Sequence, residues 1–478
     1  MKTSQLPITF CVATAVALVH ANVLAKEAAM PATMEEMWTI IQQQQKEIDL
    51  LKKRTAPNEP TPNPPAATNG QATTGNTEKA AKTDTDRKTD ILASEVQKLK
   101  TQLLIPEKRE YKSEYGLGPA ASGVYKVNRG MSIGGYGEAF YTDYTGDKGT
   151  AKDTLDLARA VLYFGYKFND WIILNNEIEY EHATTGEGSE EKGEVSVEFS
   201  QLDFLLNRYA NVRAGLMLMP MGFINEIHEP VTFHGNRRPD VERFIIPSTW
   251  REMGAGLFGQ ILPGLQYRMY AVNGLNAKGY ESSGIAEGRQ GGSMALAEDF
   301  AFTGRLDYTP GFVSGLTLGA STYMGNAGQD NRFHGDRVDA YTQLHEGHLQ
   351  WHYKGWEFRA LGAFGSVDNA AALSMAKGET IGKQNYGWYA EGAYDVMPLL
   401  FKDSSHYLAP FFRYEQYDSL AKVATGFNDD GRYDRWIYQG GLTYKPIPNI
   451  AIKADYRNIR SASGTQPDEF NLGVGFIY

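Results

Sequence analysis

The chain has 478 residues, a formal net charge of −10 and a mean hydropathy of −0.42. The acidic balance argues against a nucleic-acid partner. Beyond the amino-terminal segment, no stretch approaches the roughly 18 consecutive apolar residues that a membrane helix needs. Fifty Gly, 28 Tyr and 22 Phe are instead typical of many short strands joined by tight turns, with aromatic side chains at the membrane interface.

The amino terminus has the layout of a secretory signal peptide, predicted for residues 1–25. Lys2 precedes an apolar run over residues 8–19, and small residues lead to a cleavage site after Ala25. Cys11 is the single cysteine of the chain and lies inside this segment. We therefore expect the mature protein to contain neither a disulfide nor a cysteine metal site.

Three segments are predicted to follow in the periplasm before the main domain. Residues 26–54 should form a short coiled coil, because apolar residues recur at heptad spacing at Met34, Met37, Ile41, Ile48 and Leu51. About two and a half heptads are marginal alone, so the number of helices stays open and a solvated, unpartnered helix is the alternative. Residues 55–88, rich in Pro, Thr and Ala, are predicted to be a disordered linker. A short helix is expected over 89–106 and a periplasmic lead-in over 107–130.

Residues 131–478 alternate apolar and polar side chains between turns, which predicts an all-β fold. Seven short turns and eight long loops alternate along this stretch. They would join about 16 strands into a transmembrane antiparallel β-barrel whose two ends lie on the side of the short turns. A barrel of this size leaves a water-filled interior. The sequence therefore indicates an outer-membrane barrel.

The last strand should present one apolar stripe to lipid. Side chains on a strand alternate between faces, and the stripe would comprise Phe470, Leu472, Val474, Phe476 and Tyr478. We expect Phe476 and Tyr478 to be the assembly signal that the barrel-assembly machinery docks.

The same alternation assigns basic residues to the lumen. Over residues 154–168, Ala158, Leu162 and Phe164 are predicted to face outward, which puts Arg159 inside. The predicted pore-wall residues are Arg159, Arg213, Arg268, Arg305 and Arg359, and the same count sends Arg413, Arg435, Lys453 and Arg457 inward. Guanidinium groups suit the oxygens of phosphate and carboxylate. The alternative is that these groups pair with inward acids of the protein, namely Glu177, Glu179, Asp203, Asp307, Glu357, Glu415 and Asp455.

The longest loop, residues 220–252, is predicted to fold into the barrel and narrow it. Its apolar groups need a surface to pack against, and they are Phe223, Ile224, Phe233, Phe244, Ile245, Ile246 and Trp250. The predicted constriction and anion-binding residues are Arg237, Arg238, Arg243 and Arg251. Five acids interleave with them and leave the loop near zero net charge: Glu226, Glu229, Asp240, Glu242 and Glu252.

Over Met131–Tyr478 the chain resembles the phosphate-selective porins O and P. The resemblance is carried by Arg213-Ala214-Gly215 leading into Pro220-Met221-Gly222-Phe223, by the stretch 231–247, and by Arg251 followed by Gly254 and Gly256. It implies a homotrimeric porin with about 16 strands per barrel. It also implies a third loop in the lumen, arginines that guide small anions, and a coiled coil ahead of the barrel.

The function predicted is therefore that of an outer-membrane porin of a Gram-negative bacterium. It would let small anionic solutes, with phosphate and polyphosphate as candidates, diffuse through a channel constricted by loop 220–252. The expected partners are membrane lipid, two further copies of the chain, the barrel-assembly machinery and the permeant anions. Two alternatives stay open: a general or nutrient porin for sugars or carboxylates, and an anchoring protein whose coiled coil matters more than its pore.

No enzymatic activity, cofactor or metal site is expected from the sequence. The histidine-rich stretch HEGHLQWH has metal-like spacing, but on a strand His345 faces opposite to His348 and His352. The glycines of GAGLFG do not open a helix as a nucleotide-binding loop would.

Overall fold

The computed structural model describes residues 92, 94, 111–145, 151–185 and 192–478. The chain divides into two units, residues 1–100 and 101–478. In the first unit only residues 92 and 94 are described, and both are helical and exposed. Among the described residues, no helix combines the length and the apolar character that crossing a membrane requires.

The predicted signal peptide, coiled coil and linker lie outside the described residues, as does most of the predicted helix over 89–106. These assignments stay predictions.

Sixteen strands of the second unit close into one antiparallel barrel, in which the first strand pairs with the last. The first nine strands of the barrel are β1 (Gly130–Thr145), β2 (Thr154–Lys167), β3 (Ile172–Glu181), β4 (Val195–Phe204), β5 (Asn211–Leu218), β6 (Arg251–Leu262), β7 (Leu265–Asn273), β8 (Phe300–Tyr308) and β9 (Leu316–Asn326). A small separate hairpin of β10 (Arg332–Phe333) and β11 (Asp336–Arg337) follows. The barrel continues with β12 (Tyr341–Tyr353), β13 (Trp356–Val367), β14 (Gln384–Tyr394), β15 (Tyr407–Lys422), β16 (Asp434–Ile447), β17 (Ile450–Ser461) and β18 (Asp468–Ile477). The predicted fold and strand number are confirmed.

Short helices punctuate the connections. Helix α1 (Gly123–Lys126) precedes β1, α2 (Ala370–Lys377) lies between β13 and β14, and α3 (Met397–Leu400) lies between β14 and β15. A π-helical turn covers Val241–Ile245, and 3₁₀ turns cover Ala277–Gly279 and Ala286–Gly288. The first of these three turns lies in the long connection between β5 and β6, which the sequence singled out.

The outer face of the last strand is apolar as predicted. Its five stripe residues are between 38% and 49% exposed, whereas Asn471 between them is fully buried. Alternation along β18 therefore separates a lipid-compatible face from a polar inner face.

One outward assignment was wrong. Ala158 was predicted to face outward, but it is buried, whereas the neighbouring Leu157 is exposed. The register of β1 with β2 steps from Arg159 directly to Leu157, so Ala158 is the extra residue of a β-bulge. A bulge reverses the face of the sheet on which the preceding side chains lie. Strict alternation of side chains between the two faces cannot predict this reversal.

Candidate functional site: the interior of the barrel

The connection between β5 and β6, residues 219–250, is called the third loop here and crosses the lumen. On one side, Arg305 of β8 donates to the main-chain oxygen of Gly222. On the other side, the N–H of Asn236 donates to Asp455 of β17 at 2.8 Å. Strands β8 and β17 lie almost opposite each other in the closed strand order. The predicted inward folding of this loop is therefore confirmed.

Apolar burial explains why the loop turns inward. Met221, Ile224, Ile245 and Trp250 are fully or almost fully buried. Met221, Ile245 and Trp250 join an apolar cluster with wall residues such as Tyr323, whose ring centroid lies 4.6 Å from that of Trp250. Each large side chain buried in this way contributes roughly 1.5–3 kcal/mol. A loop extended into water would lose this contribution.

Asn225 ties together the two ends of the third loop. Its side-chain amide donates to the main-chain oxygens of Met219 at 2.7 Å and Trp250 at 2.9 Å. Its side-chain oxygen accepts the N–H of Trp250 at 2.6 Å. One buried side chain thus satisfies three main-chain groups where the loop leaves the barrel wall.

Glu242 fixes the middle of the loop. Its carboxylate accepts the main-chain N–H groups of Phe223 and Ile224, each at 2.7 Å, and the hydroxyl of Tyr389 at 2.6 Å. Gly222 adopts φ +68°, and a Cβ there would lie 2.4 Å from the Glu242 carboxylate. This acid organises the loop and does not neutralise its arginines.

The four predicted constriction arginines do not form one group. Arg238 is buried and donates to Ser248 at 2.8 Å, and Arg251 at the start of β6 lies 3.4 Å from Glu198. Arg237 lies over the ring of Phe140 and donates to Thr142 at 3.2 Å. The side chain of Arg243 is 41% exposed, compared with 25% for Arg237 and 16% for Arg251.

Asp240 of the third loop lies between two arginines. It is 3.4 Å from Arg243 and 2.9 Å from Arg457 of β17, which the strand count had placed inside the barrel. Arg457 also pairs with Glu469 of β18 at 2.9 Å, and Arg237 lies 3.8 Å from the same carboxylate. The arginines around Asp240 therefore share two acids. Only the path of the loop brings Asp240 to Arg457.

Four of the five predicted wall arginines pair with acids, as the alternative interpretation held. Arg213 makes two bonds of 2.8 Å to Asp203. Arg159 lies 2.9 Å from Glu179 and also contacts Glu138. Arg268 and Arg305 share Asp307 and Glu226. These arginines are largely neutralised by the protein.

Three wall cations instead donate to the main chain of the third loop. Arg359 of β13 donates to Thr232, Lys445 of β16 to Val231, and Lys453 of β17 to Gly235, at 3.1, 2.9 and 2.9 Å. Within the described part of the chain, none of these cations lies within ion-pair distance of a carboxylate. Lys445 was not predicted as a site residue, because only the folded loop shows what faces it.

The segment of residues 111–126 lies against the inner wall, although it was predicted as part of a periplasmic lead-in. Leu117, Ala121 and Val124 are buried. Asn175 of β3 donates to the main-chain oxygen of Ala121 at 2.8 Å, and Tyr125 donates to Asp203 of β4 at 2.5 Å. We call residues 111–126 the inner segment.

Two cavities flank the third loop. A cavity of about 710 Å³ opens at the short-turn end and is lined by the inner segment together with Arg268 and Arg305. A cavity of about 610 Å³ opens at the long-loop end and is lined by Glu198, Arg251 and Arg289. The third loop and the inner segment therefore narrow the barrel between two wider, polar vestibules.

No family model matches the chain. It is 38% identical over 372 residues to an uncharacterized protein of Aquifex aeolicus, an alignment that covers 75% of this chain and 82% of that protein. The chain belongs to the same family as that protein. Relatives at this identity share the fold, so we expect the Aquifex protein to form the same kind of barrel.

Three solved outer-membrane structures align with this chain at low identity and with TM-scores below 0.5. A loop L8 deletion mutant of OmpT, an outer membrane protein of Vibrio cholerae, has a TM-score of 0.48 at 11% identity and covers 74% of this chain and 100% of its own. The outer membrane channel DcaP of Acinetobacter baumannii has a TM-score of 0.47 at 13% identity, covering 73% and 97%. Pseudomonas aeruginosa OccK2, solved with glucuronate, has a TM-score of 0.39 at 12% identity, covering 73% and 97%.

Proposed function

We propose that this protein is an outer-membrane porin that lets small solutes diffuse through a narrowed barrel, with a preference for anions. The closed barrel has an apolar outer stripe and a polar interior, as a channel in the outer membrane requires. Vestibules of about 710 and 610 Å³ on the two sides of the third loop support a channel rather than a side-chain-filled core.

The anion preference rests on one observation, the three wall cations Arg359, Lys445 and Lys453. They point at the loop's main-chain oxygens and have no carboxylate at ion-pair distance within the described residues. A carbonyl dipole does not cancel a full positive charge, so Arg359 and Lys445 should favour anions in this part of the lumen, whereas Lys453 is 2% exposed and contributes less. Phosphate and polyphosphate belong to the solutes that such groups would favour.

The proposal includes three further expectations. The protein would be a homotrimer in the outer membrane of a Gram-negative bacterium, its amino-terminal extension would lie in the periplasm, and the barrel-assembly machinery would insert it.

The test is the reversal potential of the purified protein in planar bilayers under a salt gradient. We expect the unmodified channel to prefer chloride over potassium. Lys445→Gln and Lys453→Gln should each reduce that preference, and the double variant should reduce it further. Lys354→Gln in the exposed turn between β12 and β13 is the matched control and should leave the reversal potential unchanged.

Other outcomes favour the alternatives. A cation preference in the unmodified channel would support a general or nutrient porin for sugars or carboxylates. The absence of any conductance would support an anchoring role. Block of the chloride current by millimolar phosphate, lost in Lys445→Gln, would narrow the solute to phosphate.

A further inference from the structure

Glu177, Glu198 and His228 form a buried cluster where the third loop meets the barrel wall. Glu177 belongs to β3, Glu198 to β4 and His228 to the loop, and none is more than 2% exposed. One nitrogen or oxygen of each residue lies within 4.8 Å of the other two. Alternation along β3 placed Glu177 inside the barrel but could not connect it with Glu198 or His228, because the three residues come from separate elements.

A β-bulge brings Glu198 into the cluster. Glu177 pairs with Phe199 while Ile178 pairs with Val197, so Glu198 is the extra residue on β4. The bulge allows Glu198 and its neighbour Phe199 both to be buried on the inner side. Bulges often re-aim a side chain at a functional place, and here the bulge adds a second carboxylate beside Glu177.

The hydrogen bond on the far side of His228 fixes the role of its Nε2 atom. Nδ1 lies 3.2 Å from the main-chain oxygen of Asn225, which can only accept, so Nδ1 donates. Nε2 lies 3.2 Å from Glu177 Oε1 and 3.3 Å from Glu198 Oε2. In a neutral ring, Nε2 would direct a lone pair at two carboxylates, so a positive species is required among the three atoms.

The distances help to choose between two candidates for that species, a proton on His228 Nε2 and a metal ion. Charge-assisted hydrogen bonds are usually about 2.7–2.9 Å long, shorter than both contacts. Ligand atoms about 2.0–2.1 Å from a tetrahedral metal ion lie about 3.3–3.4 Å from one another, close to both contacts. A histidine that binds a metal through one ring nitrogen usually donates from the other to a carbonyl or carboxylate, as His228 Nδ1 does to Asn225.

Two further polar atoms beside the cluster lack a partner. Glu177 Oε2 and the hydroxyl of Tyr136 are buried, and neither makes a hydrogen bond within the part of the chain that the structure describes. The hydroxyl of Tyr136 interacts electrostatically with Glu177, Glu179 and Glu198. Buried groups of this kind are rarely left unsatisfied, so they indicate a missing polar species at this place.

We propose that Glu177, Glu198 and His228 bind a divalent transition-metal ion, with Zn²⁺ as the best match to one imidazole and two carboxylates. The ion would enter from the cavity of about 610 Å³ at the long-loop end, which Glu198 lines. Bound there, it would fasten the third loop to β3 and β4.

The competitor for this site is a proton. Without the ion, His228 Nε2 forms a hydrogen bond with Glu177 Oε1 at 3.2 Å. A metal ion must displace the proton of that bond, so its affinity should rise with pH.

The test is Zn²⁺ binding to the full chain, purified in detergent and freed of metal, measured by equilibrium dialysis and calorimetry. We expect one ion per chain, with affinity that increases from pH 6 to pH 8. Glu177→Gln and His228→Gln should each lower the affinity at least tenfold. His182→Gln is the matched control, because His182 forms an exposed pair with Asp156 at 2.7 Å, and it should bind Zn²⁺ as the unmodified protein does.

Loss of Zn²⁺ binding by a variant can be distinguished from a failure of that variant to fold. Heat-modifiable migration on gels reports whether each variant has folded. If a variant fails to fold, the unmodified protein is titrated with Co²⁺ instead. A site of nitrogen and oxygen ligands gives d–d absorption bands, and added Zn²⁺ should remove them. Absence of these bands, or equal Zn²⁺ uptake by folded His228→Gln, would overturn the proposal and leave an imidazolium at this position.

Discussion

The carboxylate of Glu229 accepts the main-chain N–H of Ala120 at 2.9 Å, although the two residues are 109 positions apart. The same carboxylate accepts the N–H of Ala121 at 3.2 Å. Glu229 belongs to the third loop and both alanines belong to the inner segment. The two parts of the chain that narrow the barrel are therefore joined by one acid.

Displacing the inner segment should widen the channel. In the structure, a Cβ on Gly118 would lie 2.4 Å from the Glu229 carboxylate. We expect Gly118→Val to weaken docking of the segment by about 1–3 kcal/mol, as overpacking does. Limited proteolysis should then cut within residues 111–126, and single-channel conductance should rise. Gly347→Val is the matched control, because a Cβ on Gly347 would meet no atom within 4 Å.

Folding stability should also depend on pH through Glu229. Burial raises the pKa of Glu229 to about 7, although the N–H groups of Ala121 and Ala120 oppose the shift. The folded protein therefore binds more protons at Glu229 than the unfolded chain does between the ordinary carboxyl value of 4.5 and about 7. The contribution of Glu229 to folding stability is fully present below this window and declines as the pH rises through it, by at most about 1.4 kcal/mol per unit.

Hydrogen exchange of the slowest barrel amides, which exchange through global unfolding, measures this dependence after correction for the intrinsic rate. Glu229→Gln has no carboxyl to titrate and is the reference. Relative to it, we expect the unmodified protein to lose protection from pH 5 to pH 8. A gain in protection relative to Glu229→Gln over this interval would contradict the sign.

Among the loop arginines, Arg243 should contribute most to ion selectivity, because its side chain is 41% exposed. At about 8 Å, a unit charge interacts with a passing ion by about 2 kcal/mol at an effective dielectric of 20, before salt screening. We expect Arg243→Gln to move the reversal potential toward cations. Replacing all four arginines, Arg237, Arg238, Arg243 and Arg251, by Ala should move it further. Arg332→Gln in the exposed hairpin should have no effect.

Removing the Asn225 side chain should loosen the third loop. Asn225→Ala leaves the main-chain groups of Met219 and Trp250 without the partners described above, at a cost of about 1–3 kcal/mol for each buried group left unpaired. We expect a lower unfolding temperature and larger current fluctuations in bilayers. Asn207→Ala, in the exposed turn between β4 and β5, is the comparison. Equal thermal stability of the two variants would argue against this role of Asn225.

Tyr478 should matter for assembly more than for the closed barrel. Its main chain pairs with Gly135 through two hydrogen bonds of 3.0 Å, and its ring is 47% exposed. Deleting Tyr478 should deplete the protein from the outer membrane, whereas Tyr478→Phe keeps an aromatic ring and should not. Cell fractionation with immunoblotting measures both, and wild-type levels of the deletion variant would refute the prediction.

The sequence was sufficient to predict the barrel because strand alternation and turn residues are local. Phe470, Leu472 and Val474 reveal their common face from spacing alone. The spacing also located the inward arginines, since a charged side chain on the lipid face would be costly. Where a bulge breaks the period, as at Ala158 and Glu198, the count fails.

The inward path of the third loop was predictable from its apolar residues, but the partners of its charges were not. The sequence placed Glu242 and Asp240 among loop arginines, whereas the fold directs Glu242 to Tyr389 and Asp240 also to Arg457. Such pairs join residues more than a hundred positions apart. No local spacing encodes them, because they depend on where a folded loop meets the opposite wall.

The sequence by itself determined the number of strands, their facing and the presence of a loop inside the barrel. Only the tertiary structure decided which of the described cations lie beyond ion-pair distance of a carboxylate. It also decided which segment donates hydrogen bonds to Glu229 and which acids surround His228. The physical reason is that period-two patterning acts within one strand. The electrostatics of the lumen depend on contacts across it, and these exist only after the barrel has closed.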